Sequence, residues 1–348
     1  MIRYLIKKII YGLLVMLGVV VAVFFLFQGF GDPSRLVMGQ RADAATQENI
    51  RKELYLDQPR WKQFLLYLDD VSPIGIHSKE EIAQKGLRGV FIGGETKLGL
   101  KWPYLRRSYQ TKRAVSAVLM EALPGTILLA LAAMFIATVT GVALGVLAAV
   151  KKNTWMDTTA IFTSVLGISA PSFFMGIVIA YVFGFVLSDQ TGLYMTGSLF
   201  DTDPFTGRQL QLRNLILPAV TLGIRPMAII AQLTRGSLLE VLDQDYIRTA
   251  YAKGLPKYVV VWKHGLRNAL NPVITAITGW FAELLAGAFF VEYIFGWKGI
   301  GKVTVDALSK LDFPVVMGSV LVSSFFFILI GLLADVLYGA VDPRVRRA

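Results

Sequence analysis

Few residues in this chain could do chemistry, and their spacing narrows the choice quickly. Gly296-Trp297-Lys298-Gly299-Ile300-Gly301-Lys302 has the G-x-x-x-x-G-K spacing of a phosphate-cradling loop. Such a loop needs Ser or Thr next, to hold magnesium, and a strand before it. Here Val303 follows and an apolar run precedes, so the string reads as a tight turn. There are no cysteines and only two histidines, His77 and His264. Thiolate chemistry, disulfides and a His-rich metal site are therefore excluded. A serine protease working inside a membrane needs a His in an apolar run, and neither His lies in one. An aspartyl type needs two Asp in facing runs, and only Asp335 qualifies. Five charged residues sit within apolar runs: Arg225, Glu283, Glu292, Asp335 and, close to the end of its run, Arg235. Charges at membrane depth are costly and are functional by default. Glu292 and Asp335 fall near run ends, where snorkelling makes them cheap. Arg225 and Glu283 either line a polar path or pair with each other.

The composition says what kind of element must hold these groups. Of the 348 residues, 55 % are hydrophobic and only 17 % charged, and the mean hydropathy is +0.57. A soluble domain carries about 25 % charge. The net charge is +11. In a soluble protein that excess would point to nucleic acid; in so apolar a chain it marks membrane-flanking loops and anionic headgroups. A spanning helix needs about 20 apolar residues. Six runs reach that length: Ile9–Phe30, Leu123–Val150, Thr158–Leu187, Leu215–Leu239, Val273–Phe295 and Val315–Gly339. The first follows Arg3, Lys7 and Lys8 as in a signal peptide. It is too long for one and has no small-residue cleavage site, so it is expected to stay as the first helix.

With the N-terminus inside, the inner segments hold 14 Lys/Arg and the two short outer loops 5. Both termini are thus expected in the cytoplasm. The 31–117 loop carries 15 Lys/Arg, but its 87 residues are long enough to translocate regardless of charge. Within it, Thr46 is placed to cap a short helix through Ile50 and Leu54. Asp57-Gln58-Pro59 restarts a helix in which Trp61, Phe64, Leu65 and Leu68 form one apolar face. Residues 71–100 are Gly-rich and mixed, and give no clear pattern. In the second run Ala137, Gly141 and Gly145 recur every four residues, spacing that lets backbones approach closely, within this chain or across a subunit interface. Pro171 should break the third run near Ser169, with Gly167–Pro171 facing the bundle interior. The rival is a lipid-facing kink satisfied by the Ser169 and Ser172 hydroxyls.

The 235–272 loop is the most informative segment. Asp243-Gln244-Asp245 supplies caps, Tyr246 to Lys253 reads as a short helix, Gly254 stops it, and Pro256 restarts a second helix with Val259, Val260 and Trp262. Ala250 and Ala252 beside Gly254 leave a low ridge, shaped either to enter another protein's cleft or to lie on the membrane surface.

This segment carries a resemblance. Arg248-Thr249-Ala250, three residues, Gly254, nine residues and His264-x-Leu266 is similar to the EAA loop of ATP-binding-cassette importer permeases. The family pattern there is E-A-A, three, G, nine, I-x-L-P. The departures match the peptide-importer branch, where R-T-A-x-A-K-G is usual; Arg248 to Gly254 reads R-T-A-Y-A-K-G. Leu215 to Leu222, Leu233 to Leu242 leading into Gln244-Asp245-Tyr246, and Gly167 to Phe173 look like the same branch. So do Leu56-Asp57-Gln58-Pro59, the Phe295–Lys302 turn, with Lys298 where the family has Pro, and the closing Asp342-Pro343-Arg344. The match covers most of 1–68 and 105–348; residues 71–100 depart from it.

The resemblance implies an all-α integral membrane protein with six transmembrane helices, the type I ABC importer permease fold, and a partly helical outer loop. The expected divisions are span 1 with its basic start (1–30), an extracytoplasmic loop (31–117) and a five-span core (118–348) with a coupling loop at 240–272. It implies a subunit of a di- or oligopeptide importer in the inner membrane, with glutathione or a nickel chelate as alternative cargo. The implied partners are a second homologous permease, two cytoplasmic ABC ATPases that bind the ATP and magnesium, an external solute-binding protein and the bilayer, with no nucleic acid. This chain would carry no catalytic residue, metal or cofactor. Asp245, Tyr246, Arg248, Thr249, Ala250, Lys253 and Gly254 would couple to the ATPases. Ser169, Pro171, Ser172, Arg225 and Glu283 are the candidates for the translocation path. The rivals are a proton-coupled secondary transporter, which should carry buried acid–base relays, and an intramembrane protease.

Overall fold

The computed structural model of the protein describes residues 2–29, 55, 57–203 and 207–341. The helix expected from Thr46 and the closing Asp342-Pro343-Arg344 lie outside the described residues, as does the side chain of Asp335. In chain order the main helices are α1 (Ile2–Gly29), α2 (Arg60–Val71), α3 (Lys79–Lys85), α4 (Val115–Val150), α5 (Trp155–Ser169) and α6 (Ser172–Tyr181). They continue with α7 (Arg213–Leu242), α8 (Asp245–Ala252), α9 (Asn271–Gly287), α10 (Phe289–Ile294), α11 (Ile300–Ser309) and α12 (Phe313–Val341). Strands β1 (Ile74–Ser78), β2 (Gly89–Gly93) and β3 (Thr96–Lys101) form one sheet, and β4 (Phe200–Asp203) pairs with β5 (Gly207–Leu210).

Among the described residues four helices, within α1, α4, α7 and α12, are long and apolar enough to cross a bilayer. The third expected span is broken: Trp155–Ser169 and Ser172–Val186 meet at 110°. The cause is Pro171, which lacks an amide and cannot continue α5. The fifth is also interrupted. α9 has 17 residues, ends at Gly287, and gives way to α10 after Ala288.

Two compact units emerge. One comprises Pro124–Lys302 with Phe326–Ala348 and the first five residues. Its core packs Leu129, Ala133 and Ala137 of α4 against Leu217, Leu222 and Ile230 of α7, with Leu284, Phe295 and Trp297. The four-residue spacing on α4 serves this internal contact. A Cβ at Gly141 would lie 2.7 Å from the Met227 carbonyl, and one at Gly145 2.6 Å from that of Ala231. The intrachain alternative for the small-residue stripe is therefore the one realised.

The other unit comprises Ile6–Leu123 and Val303–Phe325. Here Phe24 of α1 meets Phe64 and Tyr67 of α2. The expected apolar face of α2 is only half right. Phe64 and Leu68 pack inward, but Trp61 and Leu65 are exposed and the buried side chains are Gln63, Tyr67 and Asp70. Asp70 is tolerated there because Lys85 Nζ (2.8 Å) and Arg106 Nη2 (3.3 Å) neutralise it. Burial works against charge on Lys85, but Asp70 overrides it and holds the ammonium above the usual lysine range. The unreadable 71–100 stretch is the antiparallel sheet β1-β3-β2, so the outer loop is α+β and not merely partly helical. One sheet face carries Ile74, Ile76, Val90, Ile92, Leu98 and Leu100, all exposed. The other carries Gly75, His77, Phe91, Gly99 and Lys101. Its glycines are spacers: a Cβ at Gly75 would sit 2.6 Å from His77 Nε2, and one at Gly99 would strike the Phe91 ring. α3 is fixed by a Ser78/Glu81 capping box and ends at left-handed Gly86. Asp312 accepts hydrogen bonds from the Ser108 hydroxyl and the Tyr109 amide, tying the segment before α4 to the turn before α12.

Candidate functional site

The segment expected to receive the ATPases folds close to expectation. Gln244 precedes the first turn of α8 without a side-chain cap, so the Asp243-Gln244-Asp245 string does not cap as expected. Asp245 instead lies in the first turn, where its charge suits the helix N-terminus, and Arg248 reaches it at 3.3 Å. Gly254 takes φ +75°, the left-handed conformation that ends the helix. Pro256 then starts a new helical stretch whose Val260–Leu266 part is π-helical. Tyr246, Arg248, Thr249, Lys253 and Gly254 are exposed, as are Tyr251, Tyr258 and Trp262. Ala250 is not on the ridge: it is buried with Ile247 against Val260 and anchors α8 from beneath. The Asn268 side-chain amide donates to the Tyr246 hydroxyl at 2.8 Å, pinning α8 to the stretch that follows.

The decoy turn has a purpose of its own. Glu292 is fully buried, not snorkelling at a span end as expected. Its carboxylate accepts from Thr126 Oγ1 at 2.7 Å and from the Lys302 amide at 3.2 Å; Thr126 in turn accepts from the Ile300 amide at 2.9 Å. These are the first amides of α11, where a helix favours an anion. A Cβ at Gly299 would strike the Glu292 carboxylate, so glycine is needed for the loop to close around it. Trp297 Nε1 donates to the Gly125 carbonyl at 2.9 Å and locks the turn to α4. The glycine-rich string thus cradles an acid of this chain.

At the break between α5 and α6, Ser169, Pro171 and Ser172 are exposed, and neither serine hydroxyl makes a hydrogen bond among the described residues. Gly167, just before, packs on Ile224 and Ala228 of α7. Next to Ile224, Arg225 is exposed near the middle of α7. Arg225 and Glu283 do not pair. The guanidinium lies over the Trp280 ring, 5.7 Å from its centroid, and Glu283 is exposed one turn further along α9. Sequence reasoning missed Trp280. It also missed Asp157, whose carboxylate binds Arg235 Nε at 2.5 Å and Nη2 at 2.8 Å and accepts from the Asn153 amide. That bidentate pair staples α5 to α7 a few residues before α8. Among the described residues no group of three or more His, Asp or Glu is placed to hold a metal.

The sequence matches two family models: binding-protein-dependent transport system inner membrane component over residues 141–347, and the N-terminal model of the same membrane component over residues 1–130. Among similar proteins, the glutathione transport system permease protein GsiC of Escherichia coli strain K12 is 36 % identical over 348 residues, covering 99 % of each chain. The dipeptide transport system permease protein DppB of Alkalihalophilus pseudofirmus is 31 % identical over 362 residues, covering 99 % of this chain and all of that one. A chain of the MetNI methionine ABC transporter, in inward-facing conformations, superposes with a TM-score of 0.48 at 17 % identity, covering 65 % of this chain and 97 % of that one.

Proposed function

We propose that this chain, which belongs to the family of binding-protein-dependent transport system inner membrane components, forms half of a translocation path and receives the ATPase stroke on α8. The family makes it a permease subunit of an ATP-driven peptide-branch importer, a multi-pass inner-membrane protein that works with other transporter subunits. It is not an enzyme; ATP is hydrolysed by partner ATPases. The partners we assign are one homologous permease, two cytoplasmic ATPases holding ATP and magnesium, and an external solute-binding protein. Residues 1–30 would supply the first span, 31–117 an external subdomain, and 118–348 the core, with six crossings in all and both termini in the cytoplasm.

The observation that carries this reading is α8: a short helix with an exposed outer face, anchored from below by Ile247 and Ala250 and stopped by Gly254. Asp245, Tyr246, Arg248, Thr249, Lys253 and Gly254 would meet the ATPase, with Ala250 as the anchor. The Asp157–Arg235 staple passes a push on α8 into α5 and α7. Such coupling requires ATPase contacts to favour one permease state over the other. The path would run by the break at Ser169, Pro171 and Ser172 and by Arg225 and Glu283. Dipeptides and glutathione are the cargo that the similar proteins' names support for this chain.

Vesicle transport tests the reading. The chain reconstituted with its partner permease, ATPases and binding protein should accumulate dialanine or glutathione only when ATP is supplied. Uptake independent of ATP, or driven by a proton gradient alone, would overturn it. Single cysteines at Ser169 and Ser172 should react with a water-soluble thiol reagent in a nucleotide-dependent way; labelling only by lipid-soluble reagents would remove the break from the path.

A further inference from the structure

The exposed faces of the apolar helices sort into two kinds. On α4, from Thr126 to Val150, the exposed positions are Leu131, Phe135, Val139, Ala143, Leu144 and Leu147. That face suits lipid. On α7, from Leu217 to Leu242, they are Arg225, Gln232, Gly236 and Glu240, at spacings of seven, four and four. On α9, from Thr275 to Leu285, they are Thr275, Gly279 and Glu283, four apart. Each of these two stripes is one helical face, and neither contains an exposed aliphatic side chain. A polar or small stripe on an otherwise apolar helix cannot face hydrocarbon without several kcal/mol of penalty per charge, so it faces water or protein.

Opposite charges stand on these two stripes. Arg225 lies over the Trp280 ring of α9 at 5.7 Å, and Glu283 follows Trp280 by one turn. Among the described residues neither Arg225 nor Glu283 has an ion-pair or hydrogen-bond partner, although residues three apart on a helix are neighbours. The Arg225 guanidinium sits over the ring at 5.7 Å and spends no N–H donor on a described protein acceptor, which suits it to take a carboxylate. A cation over the Trp280 ring and an anion one turn further along the ring's own helix, neither paired among the described residues, complement a ligand with both charges. A peptide with free ends is such a ligand, its termini about 7 Å apart for two residues at roughly 3.5 Å each.

We infer that Arg225, Trp280 and Glu283 form a station in the path that recognises its cargo as a zwitterion, Arg225 taking the carboxylate end and Glu283 the ammonium end. This rests on the peptide-permease reading. It adds a selectivity that belongs to the permease itself: neutral solutes and molecules with one blocked terminus meet only half of the station.

The test uses the full complex in vesicles, with dialanine and glutathione as probes. In Gly279→Cys and Gln232→Cys chains, water-soluble cationic and anionic thiol reagents should both react. The cationic one should be favoured at position 279, and Glu283→Gln should abolish that preference. Arg225→Gln and Glu283→Gln should each cut uptake by about tenfold, the worth of one charge-assisted hydrogen bond. Arg225→Lys and Glu283→Asp should recover most of it, which separates lost recognition from lost folding. Cysteines at 279 and 232 that no water-soluble reagent reaches would mean that lipid or the partner permease covers the stripes, and would overturn the station. Labelled cysteines with unchanged uptake in the neutralised chains would overturn recognition while leaving a wet path. If the unaltered complex moves neither probe but does carry another solute with ATP, the peptide reading itself fails, and the station with it.

Discussion

Gly254 has no neighbour within 4 Å of where a Cβ would stand, so only its φ of +75° restricts it within this chain. A bulky acid there strains a left-handed turn and projects from the exposed end of α8. Gly254→Glu should therefore reduce ATP-driven transport by at least tenfold by obstructing the ATPase cleft, at a folding cost of about 1 kcal/mol. Membrane insertion, read by fractionation, should be normal; full transport by this variant would sink the coupling assignment. Gly299 makes the opposite case. A Cβ would press on the Glu292 carboxylate itself, in a cage closed by Thr126 and the amides of α11. Gly299→Ala should destabilise the protein by about 1–3 kcal/mol, as overpacking does, and lower its thermal midpoint in detergent. An unchanged midpoint would mean that the cage opens without cost.

At the scale of elements, the β1-β3-β2 sheet holds a buried histidine, His77. Burial pushes His77 below the ordinary histidine range and nearby Lys101 adds to it, while Asp69 at 3.5 Å and Glu81 at 3.7 Å pull the other way. The folded subdomain therefore refuses a proton that the unfolded chain accepts. Above the ordinary value of about 6.5 both states are neutral and stability is full; below it the unfolded state gains and stability falls down to the depressed folded value. Amide exchange across Ile74–Lys101, corrected for its intrinsic pH dependence, should show protection lost on acidification from pH 7 to 5, and less loss in His77→Gln. Equal loss in both would place the sensitivity elsewhere. This sheet was the least legible element because its alternation is inverted. Ile-Gly-Ile-His and Lys-Leu-Gly-Leu-Lys put the aliphatics on the exposed face and glycine on the covered one, so a search for apolar-in alternation finds nothing. α2 misled for a related reason: the two cations paired with Asp70, Lys85 and Arg106, outweigh Trp61 and Leu65. By contrast α8 was legible almost to the residue, since Gly254 and Pro256 act on the backbone locally. The break at Pro171 was legible for the same cause, whereas Glu292's cage depends on Thr126, which no local pattern links to it.

At the scale of the molecule, hydropathy says which segments enter the membrane and charge says which way round. Lys and Arg resist translocation in short loops, and the count of 14 against 5 is the ground on which we propose that the α8 loop and both termini lie on the cytoplasmic side. The 31–117 segment carries 15 such residues but is 87 residues long, and long segments cross regardless of charge. Its exposed sheet face and the exposed face of α8 should thus lie on opposite sides of the bilayer. Cysteine labelling can read this directly, because the chain has no native cysteine to confuse it. Ile92, 77 % exposed on the sheet, and Lys253, exposed at the end of α8, are the positions to substitute. In spheroplasts an impermeant thiol reagent should label Ile92→Cys at once and leave Lys253→Cys untouched. After the membrane is disrupted both should label. The reverse order would put α8 outside, away from any ATPase, and would overturn the orientation together with the coupling role of Asp245 to Gly254. Labelling of both in spheroplasts would show that the segment between them crosses an odd number of times fewer than proposed, and the broken span at Pro171 would be the first to remove from the count, since its two arms meet at 110° and suit a re-entrant loop.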